Sequence, residues 1–179
     1  GQIVESYDYN GNKNEERIFN EKNNSLEVKH FYGNDSLTSK YIGFEEEPQN
    51  LISSERIENG KTAYTLQVNR GKSLNIESID ETQKRPDGSS EYKRFDGISA
   101  EYKISKLNQE SFNDRTLPNV NIIYDEKGNI KKRIEREISP TGALLEEKEY
   151  DKNGKLVTLQ NDFAMDDRIG TAYQGKTGD

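Results

Sequence analysis

The sequence predicts a mainly β protein, an antiparallel β-meander built from successive hairpins as a single sheet or an open barrel-like form, with little helix. Three observations carry that prediction. Turn residues recur about every dozen positions along much of the chain. Between them apolar and polar residues alternate, as at Tyr64, Leu66 and Val68 with Thr65 and Gln67 between. The pattern Tyr-Asp-x-x-Gly-x-aliphatic appears twice, at 124–130 and 150–156, with a looser copy at 138–144, so that Gly128, Gly142 and Gly154 stand 14 and 12 residues apart.

Turn chemistry explains this unit. An aromatic or aliphatic residue closes one strand, and Asp or Ser opens the turn by accepting a backbone N–H two residues on. Gly then supplies the positive φ of a tight reversal, and an aliphatic residue opens the next strand. Ile130, Ile134 and Ile138 also fit one face of a short helix. A regular strand places all three on one face as well, and Gly128 and Pro140 leave little room for a helix.

In chain order, Asp8, Asn10, Gly11 and Asn12 form a loose copy of the turn, and Arg17, Ile18 and Phe19 lead to a polar turn at 20–25. The run Leu26, Val28, His30 alternates, and Gly33 reverses the chain into a strand over 37–44. A loop at 45–50 contains Pro48. Strands at 51–57 and 62–68 flank Asn59-Gly60, a strong two-residue hairpin signal. Residues 69–90 are less regular: Leu74 and Ile76 fit a short strand, and Ser78 to Glu81 has the spacing of a capping box that opens a turn or two of helix. Arg85 to Gly88 is a turn. Strands at 91–95 and 98–104 are expected to enclose Asp96-Gly97, with Phe95 opposite Ile98 and Tyr92 opposite Glu101. Residues 105–119 read as a connection with at most a helical turn. The expected organisation is one domain over 1–179, or two subdomains at about 1–70 and 85–160 divided within 69–90 or 105–119, with an irregular tail at 160–179.

Composition sets limits on function. Hydrophobic residues are 30%, charged residues 33% and mean hydropathy is −1.10, so the core is thin. Lys, Arg, Glu and Tyr side chains can cover such a sheet with their stems and rings, and the charges of 131–149 are expected to pair across strands as a solvated lattice. A net charge of −7 with no basic stripe argues against nucleic acid, because Lys131, Lys132 and Arg133 are followed by Glu135 and Glu137. The absence of cysteine removes disulfides, thiolate zinc sites and cysteine nucleophiles. No apolar run reaches membrane-spanning length, and no signal peptide is visible. The start Gly1-Gln2 is expected of a trimmed or processed chain, and a removed export signal would account for it.

No catalytic, cofactor-binding or metal-ligating residue is assigned. His30, the single histidine, reads as a strand residue. Asp8, Asn10, Asn12, Asn14 and Glu16 alternate like a calcium loop, but Lys13 stands where an EF-hand needs Gly. The 33 Asp and Glu permit many carboxylate pairs, so a hydrolase of that kind is the enzymatic alternative. The repeat tyrosines form a strip that covers the sheet or meets a sugar or protein.

At YDEKGNI (124–130) and YDKNGKL (150–156) the chain resembles bacterial tandem β-hairpin repeats, the YD repeats of RHS-type surface and toxin proteins and the MORN-variant repeats, mainly over 121–159 and more weakly over 7–44. The resemblance implies a non-enzymatic module of the cell envelope or of secreted proteins that binds a protein or glycan partner, outside the cytoplasm. The alternative it implies is an immunity or antitoxin protein, cytoplasmic in that case, whose acidic surface neutralises a basic toxin.

Overall fold

The structure, a computed structural model, describes residues 1–112, 117–161, 167–168 and 170–171, with side chains placed through 107 and over 117–161. The fold is mainly β, an antiparallel meander in which successive strands are joined by short turns, with one α-helix among the described residues. The chain divides into two compact units, one of Gly1 with 15–115 and one of 2–14 with 116–179.

The first unit contains β2 (Lys13–Asn20) from residue 15 onward, β3 (Ser25–Tyr32), β4 (Asp35–Ile42), β5 (Leu51–Glu58), β6 (Lys61–Arg70), β7 (Ile76–Lys84) and β8 (Ser90–Asp96), each paired with the next in sequence. A 3-10 turn at Pro48–Asn50 and helix α1 (Ile98–Phe112) complete it. Leu26, Val28, Tyr41, Leu51, Leu66, Val68 and Ile79 of the strands meet Ala100 and Ile104 of the helix in one core. The expected Asn59-Gly60 hairpin is present: both residues have positive φ, and Glu58 pairs with Lys61 across a two-residue turn.

Three expectations fail in this unit. Residues 98–104 are helix and not strand, and Phe95 pairs with Ile79 of β7 instead of Ile98. Two periods compete there: Ile98, Ala100, Tyr102 and Ile104 alternate, whereas Ala100, Ile104 and Leu107 recur at helical spacing. The second wins, because Ala100 and Ile104 are fully buried while Ile98 and Tyr102 are 85% and 62% exposed. Gly97 accepts the first helical hydrogen bond, from Glu101 N–H at 3.1 Å, so Asp96-Gly97 starts a helix and does not close a hairpin. The helix then continues to Phe112, well past the single turn expected after 104. The Ser78 to Glu81 capping spacing lies within β7, where pairing with β6 on one side and β8 on the other overrides it.

The second unit is a five-stranded antiparallel sheet in the order β12 (Leu156–Gln160), β11 (Leu144–Tyr150), β10 (Ile130–Ile138), β9 (Val120–Tyr124) and β1 (Gln2–Tyr7), in which β9 to β12 form a meander and β1 pairs with β9 from the start of the chain. The 130–138 segment is strand, as expected, but its face is not uniform. A bulge between Ile130 and Lys132 sets Ile130 opposite Tyr124 and Ile134 opposite Asn121, on opposite faces. Of the expected irregular tail, Asp167–Arg168 pairs with Gly170–Thr171, and the rest beyond 161 lies outside the described residues.

One turn recurs six times among the described residues: the first N–H donates to the fifth carbonyl, and the fourth N–H to the first carbonyl. It starts at Asp8, Gly71, Arg85, Asp125, Ser139 and Asp151. Asp8, Asp125 and Asp151 each accept the N–H groups two and four residues on, and Ser139 accepts that of Ala143. These backbone hydrogen bonds, chiefly those from Asn129 and Lys155, hold the Asp125 and Asp151 carboxyls below their ordinary pKa. The fourth residue is in the left-handed region each time, with φ +85° at Gly128 and +81° at Gly154. At the turn from Gly71 that place is taken by Leu74, with φ +63° and 57% exposure. Leu74→Gly is therefore expected to stabilise the protein by about 0.5–1 kcal/mol, relief of left-handed strain outweighing the added unfolded-chain entropy. A lower midpoint in urea would show that the turn prefers leucine.

Candidate functional site

Among the described residues the second unit has no buried hydrophobic core: Ser6 is its one buried residue there, and every buried apolar side chain described belongs to the first unit. Strand register sorts its residues onto two faces. One carries Ile3, Glu5 and Tyr7 of β1, Ile122 and Tyr124 of β9, Arg133 of β10 and Tyr150 of β11, since Ile3 pairs with Tyr124, Glu5 with Ile122 and Arg133 with Tyr150.

On this tyrosine face Glu5 is the anchor. It accepts Tyr124 Oη at 2.6 Å, Tyr7 Oη at 2.8 Å and Lys13 Nζ at 2.9 Å. Burial acts to raise the Glu5 pKa, but the hydrogen bonds from Tyr124, Lys13 and Tyr7 outweigh it and hold the carboxyl below its ordinary value. The same bond pushes Tyr124 up to about 12, with burial adding to it. Its folded pKa exceeds the ordinary value of 10.0, so its contribution is complete below pH 10 and is lost as pH rises toward 12. Tyrosinate absorbance should lose a late-ionising component in Tyr124→Phe; an unchanged titration curve would remove Tyr124 from that role.

The opposite face carries Ile134 and a set of residues linked by polar contacts across four strands, Ser6, Asn121, Arg136 and Glu147. The cross-strand pairing expected over 131–149 is present as Arg136 to Glu147 at 2.9 Å and Lys132 to Glu149 at 3.9 Å, whereas Arg133 to Glu135 at 2.7 Å lies within β10.

The first unit contains a second polar constellation. Glu15 and His30 face each other across β2 and β3, and Glu46 reaches them from the segment after β4. Arg17 Nε donates to Glu15 Oε2 at 2.7 Å, and Arg17 Nη2 donates to Glu46 Oε1. The remaining carboxylate oxygens face the imidazole, Glu15 Oε1 at 3.6 Å from Nδ1 and Glu46 Oε2 at 3.5 Å from Nε2. All four side chains are half-buried, and the Tyr32 ring lies 6.5 Å from that of His30. Burial works to raise Glu46, but His30 and Arg17 outweigh it and hold this carboxyl below its ordinary pKa. Burial likewise works to lower Arg17, and Glu15 and Glu46 overcome it. His30 is a strand residue, as read from the sequence; its two carboxylate neighbours were not legible there, because Glu46 is sixteen residues away and arrives through a loop.

Other features are structural. Asp8 accepts its own turn's N–H groups from Asn10 and Asn12, so the alternating polar stretch begins as a turn. A shallow depression of about 380 Å³ in the first unit contains Arg70, which donates to the carbonyls of Leu74, Gln49 and Leu51 and ties the 3-10 turn to the turn after β6. No helix among the described residues is long and apolar enough to cross a membrane. No protein-family model matches the sequence, and no curated protein matches it.

Proposed function

We propose that the protein is a non-enzymatic β-repeat module of the bacterial cell envelope or of secreted proteins, binding a protein or glycan partner through the tyrosine face of its second unit. The observation that carries this reading is a sheet without a buried apolar side chain among its described residues, one face of which aligns Tyr7, Tyr124 and Tyr150 among Glu5 and Arg133. Tyrosine offers contact area and a hydroxyl at a low entropic cost, and Glu5 already holds two of the rings, so less conformational freedom is lost on binding.

The test is a glycan array and an affinity capture from envelope fractions, run with the native chain and with Tyr150→Ala, whose ring is held by no hydrogen bond named above. Saturable binding to a glycan or envelope protein, weakened at least tenfold in Tyr150→Ala, supports the reading. Stoichiometric capture of one basic, toxin-like protein would replace it with the immunity reading, to which the net charge of −7 is suited. Binding indifferent to Tyr150 would remove the tyrosine face.

A further inference from the structure

We propose that Glu15, His30 and Glu46 form a site for one divalent transition-metal ion of the zinc class. One donor atom from each lies within 4.8 Å of the others. Each donor is positioned by its element: Glu15 and His30 are direct partners across β2 and β3, and Glu46 turns inward while Glu45 and Glu47 on either side are exposed. Just beyond, Pro48 is buried and anchors the segment.

The division of oxygens fits an ion. Arg17 takes one oxygen of each carboxylate and leaves the other facing the imidazole. In metal sites the oxygen or nitrogen not bound to the ion is commonly held by such an outer partner, which orients the ligand. The inner separations of 3.5 and 3.6 Å are longer than a good hydrogen bond. Either one is close to the roughly 3.4 Å between a carboxylate oxygen and a nitrogen on a tetrahedral ion with bonds of about 2.1 Å, but they run to different ring nitrogens, of which one ion takes only one. One ring nitrogen binds the ion, so the carboxylate that faces the other nitrogen closes onto the ion by a rotation of the imidazole or of its own side chain, from donor atoms already within 4.8 Å of one another. With a neutral imidazole the four side chains sum to one negative charge, which a dication reverses to one positive instead of deepening.

Ligand chemistry selects the ion. One imidazole and two carboxylates suit Zn²⁺ or Co²⁺ with an open position for water. Ca²⁺ and Mg²⁺ need six or more oxygens, more than three side chains supply without many waters. This constellation lies on the first unit and does not depend on the tyrosine face for its support.

The experiment is titration of the chelator-treated full chain with Zn²⁺ at neutral pH, by calorimetry and by NMR of the imidazole. Because His30 is the single histidine, its ring signals report without a variant. Expected are one equivalent of Zn²⁺ bound, His30 ring shifts that saturate at that equivalent, at least a tenfold loss of affinity in His30→Gln and in Glu46→Gln, and no comparable response to Mg²⁺ or Ca²⁺. Circular dichroism checks that each variant is folded, and the native-chain NMR result stands if one is not. Unmoved His30 ring signals, or zinc binding equal in the native chain and both folded variants, would overturn the proposal.

Discussion

Replacing Ile104 with Ala is expected to destabilise the first unit by about 2–5 kcal/mol, the range for emptying a fully buried aliphatic site. Ile104 is 0% exposed and sits with Ala100 at the contact between α1 and the strand core, where Leu66, Val68 and Ile79 gather. The polar composition leaves few such residues, so this one carries a large share of the apolar burial that holds the helix down. Tyr102→Ala, on the same helix but 62% exposed, serves as the control and should change stability by less than about 0.5 kcal/mol. Urea unfolding followed by far-UV circular dichroism measures both. Equal midpoints for the two variants would mean that the helix does not dock through Ile104.

The second unit should respond most strongly to loss of a polar group. Arg136, with a side chain only 12% exposed, donates through Nη1 to Asn121 Oδ1 at 2.6 Å and Pro118 O at 3.1 Å, and through Nε to Glu147 Oε1 at 2.9 Å. Asn121 in turn donates to Ser6 Oγ at 2.7 Å, so one chain of contacts joins β1, β9, β10 and β11. Arg136→Ala strands several of these groups and is expected to cost about 2–4 kcal/mol. Lys at the same position keeps the charge but loses the planar fork, and should recover less than half. Arg133→Ala, whose ion pair is exposed, should cost under about 1 kcal/mol. Hydrogen exchange of β9, β10 and β11 amides resolves the effect locally, and equal protection in Arg136→Ala and Arg133→Ala would refute the clamp.

These two expectations differ because the units are stabilised differently, and composition averages over both. A hydrophobic fraction of 30% predicted a thin core without placing it. Among the described residues the buried apolar side chains are concentrated under α1, and the other unit relies on hydrogen bonds, tyrosine rings and ion pairs. Which residues gather beneath one helix depends on strand pairings between distant segments, and residue totals contain no such pairings.

What the sequence determined by itself was local. The five-residue turn is specified by neighbours a few positions apart, Asp or Ser to accept backbone N–H groups and Gly to take positive φ, so the turns at 125–129 and 151–155 and the meander they imply were legible without coordinates. Asn59-Gly60 was legible for the same reason. Tertiary structure decided whatever depended on partners far along the chain. It resolved the two competing periods of 98–107 into a helix, because the strand core offered Ala100 and Ile104 a surface to bury against. It also drew Ser78 to Glu81 into β7 between two strands, and it brought Glu46 to Glu15 and His30. Local hydrogen bonding selects a turn within a few residues, whereas burial and charge pairing act only once the chain has folded back on itself.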